Sequence, residues 1–317
     1  MKRLLKIVAS LVVAACLLPA AQAIAGEKLT VLLDWYINPD HAPLYVALEK
    51  GFFAARGLDV ELIAPANPND PPKLVAAGQA DIAVSYQHQH QVQVDQGLPL
   101  TRIATLVATP LNCLVVLADG KIQTLADMKG KTVGYSVGGF ETTLLQAMLA
   151  GAGLTLQDVK LVNVNFSLAP ALLAGRVDAV IGAFRNFELN QMAIEGRPGR
   201  AFFVEEYGVP AYDELILVAK NTATADPKMR RFVDALEEGV QYLVNHPEES
   251  WKMFTSHGRE NLDDELNRRA WRDTLPRFAL RPGALDRNRY VRFAAFLQKQ
   301  DMVKTVPPLA GWAIELP

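Results

Sequence analysis

The chain has 317 residues and a formal net charge of −2, with half of its residues hydrophobic and 21% charged. That length suffices for more than one buried core. The near balance of charge gives no support for a nucleic-acid partner, which normally requires a basic face.

The amino end differs from the rest. Lys2, Arg3 and Lys6 precede an apolar run from Ile7 to Leu18, and Pro19 and Ala21-Gln22-Ala23 follow. A basic start, a short apolar centre and a small-residue site make a secretory signal peptide, assigned to residues 1–23. The run has 12 residues, whereas a spanning helix needs about 20. The expected location is therefore the periplasm. Val13-Ala14-Ala15-Cys16 resembles a lipoprotein cleavage box, so a lipid anchor at Cys16 is the alternative. The apolar run continues past Cys16 and a good Ala-x-Ala site follows it, which favours removal after Ala23. Removal leaves 29 basic residues against 34 acidic ones. Cys113 is then the remaining cysteine. It lies in the apolar run Leu111 to Ala118 and is read as a small core residue.

Short apolar runs then alternate with helix-like stretches, the pattern of α/β units. Lys28 to Leu33 reads as a strand, Pro43 to Ala55 as a helix ended by Gly57, and Leu58 to Ile63 as the next strand. The second half repeats this order. Lys131 to Ser136 is a strand, Phe140 to Ala150 a helix, and Val159 to Val164 a strand. The closing unit is duplicated in pattern, with the glycine and the aspartate kept in register. Leu74 to Val84 matches Ala171 to Ile181, with Gly78 and Asp81 each 97 residues before Gly175 and Asp178. In each copy a helix ends at Gly, which accepts the left-handed cap conformation, and a buried strand follows.

The expected fold is thus two similar Rossmann-like α/β lobes of mostly parallel sheet, joined by two crossing strands. Residues 24–113 and 215–317 form lobe 1 with its C-terminal helices, and residues 114–214 form lobe 2. The apolar stretches Asn112 to Ala118 and Glu214 to Lys220 are the crossings. The helical tail from Pro227 to about Met302 is expected to pack back on lobe 1.

Ligands of open α/β sheets bind beyond the carboxyl ends of the strands. Two facing lobes bring two such edges across one cleft, suited to hinge closure. The expected ligand-binding residues are Asp34, Trp35, Asn38, His41 and Tyr86 from lobe 1. Lobe 2 is expected to supply Ser136, Gly138, Gly139, Phe140, Phe184, Asn186 and Glu188. Aromatics, amides and carboxylates of this kind suit a flat polar ring stacked on aromatic faces. Trp35 also has a packing reading, and Glu188 a solvated one.

Two motifs suggest other chemistry. Gly134-Tyr135-Ser136-Val137-Gly138 matches the nucleophile elbow. The later histidines, His246 and His257, lie in the charged tail, and no single large hydrolase sheet is expected. The favoured reading is a Gly-rich loop offering backbone N–H groups, with no catalytic residue assigned. His88-Gln89-His90 suggests a metal site, but nothing supplies an obvious fourth ligand even with His41 added. A solvated polar helix start is preferred, and no metal or cofactor is expected.

Three stretches together resemble one family. They are Leu33-Asp34-Trp35-Tyr36-Ile37-Asn38-Pro39-Asp40-His41, Glu49-Lys50-Gly51-Phe52-Phe53 with Gly57-Leu58-Asp59-Val60, and Leu125 to Lys131 running into Gly134-Tyr135. The chain is similar to the thiamin-pyrimidine branch of the periplasmic binding proteins over residues 28–300, which implies that the two lobes form a type II periplasmic binding protein fold. The resemblance implies capture of a pyrimidine thiamin precursor by a monomeric binder, with an ABC transporter's permease and ATPase subunits as partners. Sulfonate, nitrate and riboflavin-precursor binders share the lobe motifs and imply the alternative ligands. The branch also holds fungal synthases carrying a pyridoxal-phosphate Lys, a substrate His and a cysteine-rich iron run. Here Ser85 and Gln89 stand at the first two positions, and Glu206 to Asp213 contains no cysteine. The resemblance further implies a ring stack on Trp35 and a ring-edge carboxylate at Glu188. Arg185 has no counterpart in that scheme.

Intact-mass measurement of the exported protein should place the first residue at Ile24; a lipid-modified Cys16 at the amino end would contradict this.

Overall fold

The computed structural model describes residues 26–139, 141–257 and 261–317. The signal peptide, Cys16 and Phe140 fall outside the described residues.

The first half of the chain alternates as read. β1 (Glu27–Leu32), α1 (Ala42–Glu49), β2 (Leu58–Ile63), α2 (Pro71–Ala76), β3 (Ile82–Tyr86), α3 (Gln87–Asp95) and β4 (Leu100–Val107) follow one another. The second half gives β5 (Asn112–Leu117), β6 (Thr132–Tyr135), α4 (Glu141–Ala150), β7 (Lys160–Asn163), α5 (Leu168–Leu173), β8 (Ala179–Phe184), α6 (Glu188–Ile194) and β9 (Gly199–Phe203). β10 (Leu215–Lys220) returns, and α7 (Pro227–Asn245), α8 (Pro247–Thr255), α9 (Glu265–Thr274) and α10 (Arg287–Lys299) close the chain.

Two five-stranded sheets result, ordered β2-β1-β3-β10-β4 and β7-β6-β8-β5-β9. Their topologies match position for position. In each, three parallel strands precede one antiparallel strand, beyond which the last strand again runs with the first three. The duplicated sequence carries a duplicated hydrogen-bond device. Asp81 accepts from Thr30 N–H at 2.8 Å, and Asp178 accepts from Thr132 N–H at 2.8 Å. Each Asp returns its own N–H to the same residue's carbonyl, at 3.1 and 2.8 Å. This reciprocal pair pins the start of β3 to β1 and of β8 to β6. Gly78 and Gly175 turn the preceding helices at φ +76° and +66°.

The first sheet's core gathers Val31, Leu44, Val84, Leu217, Phe232 and Trp251, and the second's gathers Val133, Leu144, Ile181 and Phe202. The C-terminal helices do not all return to lobe 1 as expected. α7 packs on α1 in the first core, while Phe293 and Leu297 of α10 insert into the second. Their apolar stripe finds Tyr212 there, 5.2 Å away ring to ring, so the tail straddles the two lobes.

α3 also departs from expectation. Gln87, His88, Gln89, His90, Gln91 and Gln93 are buried, not solvated, because the C-terminal segment covers the helix. His88 stacks edge-on against Tyr212 at 4.9 Å. His90 Nε2 bonds the Trp312 carbonyl at 2.8 Å, and burial pulls its pKa down to about 4. Among the described residues no His, Cys, Asp and Glu group is arranged to hold a metal ion. Cys113 is buried and free, as a core residue.

α1 carries the site-bearing loop on its amino end, and Gly239 of α7 lets it dock closely. A Cβ there would lie 2.7 Å from Ala47 Cβ and 2.8 Å from the Pro43 carbonyl. Gly239→Ala should therefore destabilise the protein by about 1–3 kcal/mol, measured by denaturant unfolding.

Candidate functional site

The loop after β1 is set by local chemistry. Asn38 caps the turn at Pro39–His41: its Oδ1 accepts from Asp40 N–H at 2.8 Å, and its N–H donates to His41 Nδ1 at 3.3 Å. Since Nδ1 accepts, the ring proton lies on Nε2, which donates to Asp34 Oδ1 at 2.9 Å. Tyr86, the last residue of β3, donates its hydroxyl to Asp34 Oδ2 at 2.7 Å. Asp34 is thus fixed by one donor on each oxygen. Trp35 leaves its own lobe. It meets Phe166 of the other lobe edge-on, with ring centroids 4.6 Å apart, and packs among Cys113, Val115, Leu168 and Val180.

The facing edge is built at the end of β8 and the starts of α4 and α6. Glu188 begins α6 and accepts the Phe184 N–H at 2.7 Å. Glu141 begins α4 and accepts the Ser136 N–H at 2.6 Å. Gly182 lies beside it at φ +97°, and a Cβ there would overlap the Glu141 carboxyl.

Between the edges is a hollow of about 390 Å³, mouth included. Asp34, Trp35, Asn38, Tyr86, Phe184 and Glu188 line it from the expected set. The sequence reading missed Asp40, Glu141, Leu168, Gly182 and Phe187, which line it too. Asp40 was legible as part of the loop motif, and Glu141 as the acidic first residue of a helix facing the cleft. Gly182 and Leu168 carried no signal outside the tertiary structure.

The other expected residues stand one layer back or elsewhere. His41 is wholly buried behind Asp34. Asn186 donates to Asp40 Oδ1 across the lobes at 2.6 Å, where the Thr274 hydroxyl also donates at 2.9 Å. Ser136 gives its hydroxyl proton to the Asn165 carbonyl, leaving no nucleophile of the elbow type. Gly138 and Gly139 line a separate hollow, where Gly138 N–H donates to Asn69 Oδ1 of lobe 1 at 2.9 Å. Phe140 lies outside the described residues. Arg185 is spent on Glu205, donating from both terminal nitrogens at 2.7 and 2.8 Å, with the Phe203 ring 4.2 Å away.

The pocket's electrostatics are one-sided. Asp34, Asp40, Glu141 and Glu188 line it, and no Lys or Arg does among the described residues. Burial raises the Glu188 carboxyl to about 7, the Phe184 N–H opposing and the Asp40 charge adding to the rise. Burial likewise lifts Asp40 to about 6, against the lowering effects of His41 and Thr274. Behind the pocket, Glu214 accepts from the Leu111 and Asn112 N–H groups at 2.5 and 2.9 Å and from the Tyr212 hydroxyl at 3.0 Å. It joins both lobe crossings, and burial raises it to about 7.

Two lobes on matching mixed sheets, closing on a ligand-sized pocket, define a periplasmic binding protein fold. Alignment with solved structures agrees. A Candida albicans protein described as exhibiting the generic periplasmic binding protein fold superposes with TM-score 0.70 at 16% identity, over 92% of this chain and 97% of that one. The chain belongs to the NMT1/THI5-like family, which it matches over residues 38–250. It is 53% identical over 292 residues to a putative thiamine biosynthesis protein of Haemophilus influenzae, covering 92% of this chain and 93% of that protein. It is 36% identical over 238 residues to a formylaminopyrimidine-binding protein of Halalkalibacterium halodurans, covering 74% and 72%.

Glu214 gives a signed prediction. Its folded pKa of about 7 exceeds the ordinary 4.5. The folded state therefore holds the proton more tightly, and the stability this confers is complete below about pH 4.5 and lost as pH rises toward 7. Glu214→Gln keeps an acceptor for both N–H groups without a charge. Compared with wild type by denaturant unfolding, it should be equal near pH 4 and more stable at pH 8, by up to about 3 kcal/mol; a variant weaker at pH 8 would refute this.

Proposed function

We propose that this protein captures a pyrimidine thiamin precursor, of the formylaminopyrimidine or hydroxymethylpyrimidine type, and hands it to the membrane subunits of an ABC importer from the periplasm. The carrying observation is the pocket wall: the aromatic rings of Trp35, Phe184 and Phe187 beside four carboxyl groups, with no lining cation among the described residues. A ring with an exocyclic amine fills such a space, stacking on the aromatic faces while its N–H groups satisfy carboxyl oxygens. A sulfonate or nitrate would bring a negative charge against those acids with nothing to pair it, which disfavours the anion alternative. The formylaminopyrimidine-binding relative, 36% identical, supports the same reading. Binding without chemistry is favoured over synthase activity. At the positions that the resemblance aligns with the synthases' Lys and His, Ser85 donates its hydroxyl to Gln89 Oε1 at 3.2 Å, which provides no amine for an aldimine. Glu188 reads the amine, and leaving its buried oxygen unpaired excludes rings that lack one.

The test is calorimetric titration of refolded, ligand-free protein with formylaminomethyl- and hydroxymethyl-pyrimidine beside an alkanesulfonate and thiamin. Micromolar or tighter binding of a pyrimidine is expected, weakened at least tenfold in Trp35→Ala and in Glu188→Gln. Tight binding of the sulfonate with no heat from either pyrimidine would overturn the ligand assignment.

A further inference from the structure

Glu141 has no role in the reading above, yet its placement is costly and specific. The side chain is 2% exposed. Its carboxyl is seated against the β8 backbone at the one residue, Gly182, whose missing side chain leaves room for it. One oxygen accepts the Ser136 N–H, and the cavity lies in front of the group. No described cation faces it. The charged groups around it are Glu188, which lines the same pocket, and Glu214 behind. Burial and these two neighbours hold the Glu141 carboxyl well above the usual range, against the lowering pull of the Ser136 and Val137 N–H groups. A carboxyl in such surroundings keeps its proton and becomes a donor.

The rest of the wall has few other donors. The Tyr86 hydroxyl proton goes to Asp34, and one hydrogen of Asn38 Nδ2 goes to the Tyr36 carbonyl at 3.1 Å, which leaves the second Asn38 hydrogen and the Trp35 indole N–H beside Glu141. A neutral aminopyrimidine offers more than amine hydrogens: its ring nitrogens are acceptors and need a donor when taken out of water. Glu141 and Glu188 are anchored to the same end of β8, beside Gly182 and on the Phe184 N–H. Those two residues lie about 6.6 Å apart along a strand.

Resting on the proposed ligand class, we propose that Glu141 is a second specificity-determining group, presenting a protonated carboxyl to an acceptor ring nitrogen while Glu188 accepts from the exocyclic amine. The pair thereby distinguishes an aminopyrimidine from an aromatic amine of the same shape that has carbon at that ring position. No proton is drawn from solvent, because Glu141 already carries it.

The experiment crosses two ligand forms with three proteins by calorimetry: the hydroxymethyl-aminopyrimidine and its ring-carbon (aminopyridine) analogues, against wild type, Glu141→Gln and Glu141→Leu. Wild type should prefer the pyrimidine at least tenfold over one of the analogues. Glu141→Gln, whose amide can donate, should keep that preference. Glu141→Leu should lose it, binding pyrimidine at least tenfold more weakly but that analogue as wild type does. Thermal unfolding of each free variant checks that the fold is retained. Equal weakening of both ligands in Glu141→Leu, or unchanged pyrimidine affinity, would overturn the inference while leaving the pyrimidine reading intact. A wild type that binds no pyrimidine overturns both.

Discussion

Burying acids without cations is the constraint around which this molecule is arranged. Asp34, Asp40, Glu141 and Glu188 converge on one pocket, and Glu214 lies behind it. Ionised carboxylates placed in such surroundings need partners or protons. The fold supplies N–H and O–H donors from backbone, Tyr, His, Asn and Thr in place of Arg or Lys. Glu141 and Glu188 also stand at helix amino ends, where the helix dipole favours an acidic group. Donors of this strength hold the groups in position and leave the pocket able to accept N–H groups from a guest. In the proposed reading the same wall disfavours anionic guests, so selectivity follows from how the acids are stabilised.

Closure and recognition share parts. Trp35 belongs to lobe 1 by sequence and to the lobe 2 apolar cluster by packing. Asn186 bonds Asp40 across the interface, Asn190 Nδ2 reaches Asp273 at 2.7 Å, and Asn69 holds Gly138 N–H and the Ser136 carbonyl. These contacts tie the lobes on two sides of the ligand hollow. At the crossings, the single Glu214 carboxyl gathers Leu111, Asn112 and Tyr212, so the two connecting segments are fastened to each other.

Features that invite other chemistry prove to be structural. The elbow-like Ser136 is held by Asn165 and Glu141, and the α3 histidines are sealed beneath the C-terminal segment. Arg185, unplaced by the sequence, braces Glu205 and covers Phe203 instead of addressing the ligand. Ser136, His90 and Arg185 look available in one dimension, yet each bonds a neighbour distant in sequence, while His88 is packed against the Tyr212 ring.

The sequence by itself determined the alternation of strands and helices, the duplicated units and the loop carrying Asp34, Trp35, Asn38 and His41. Those are local or periodic properties: burial period, glycine caps, a capping box within four residues, and an Asp repeated 97 residues apart for the same strand-start bond. It also placed Tyr86, Phe184 and Glu188 at strand ends, which topology directs to the cleft. The tertiary structure alone decided what lies one layer behind and between. Whether α10 packs on the first lobe or the second depends on where Tyr212 lands after a crossing. That Gly182 makes room for Glu141 depends on two segments forty residues apart meeting within van der Waals distance, for which a single sequence carries no periodic signal. The protonation of the pocket acids is likewise set by burial between lobes, a property no residue has until both sheets have formed and closed.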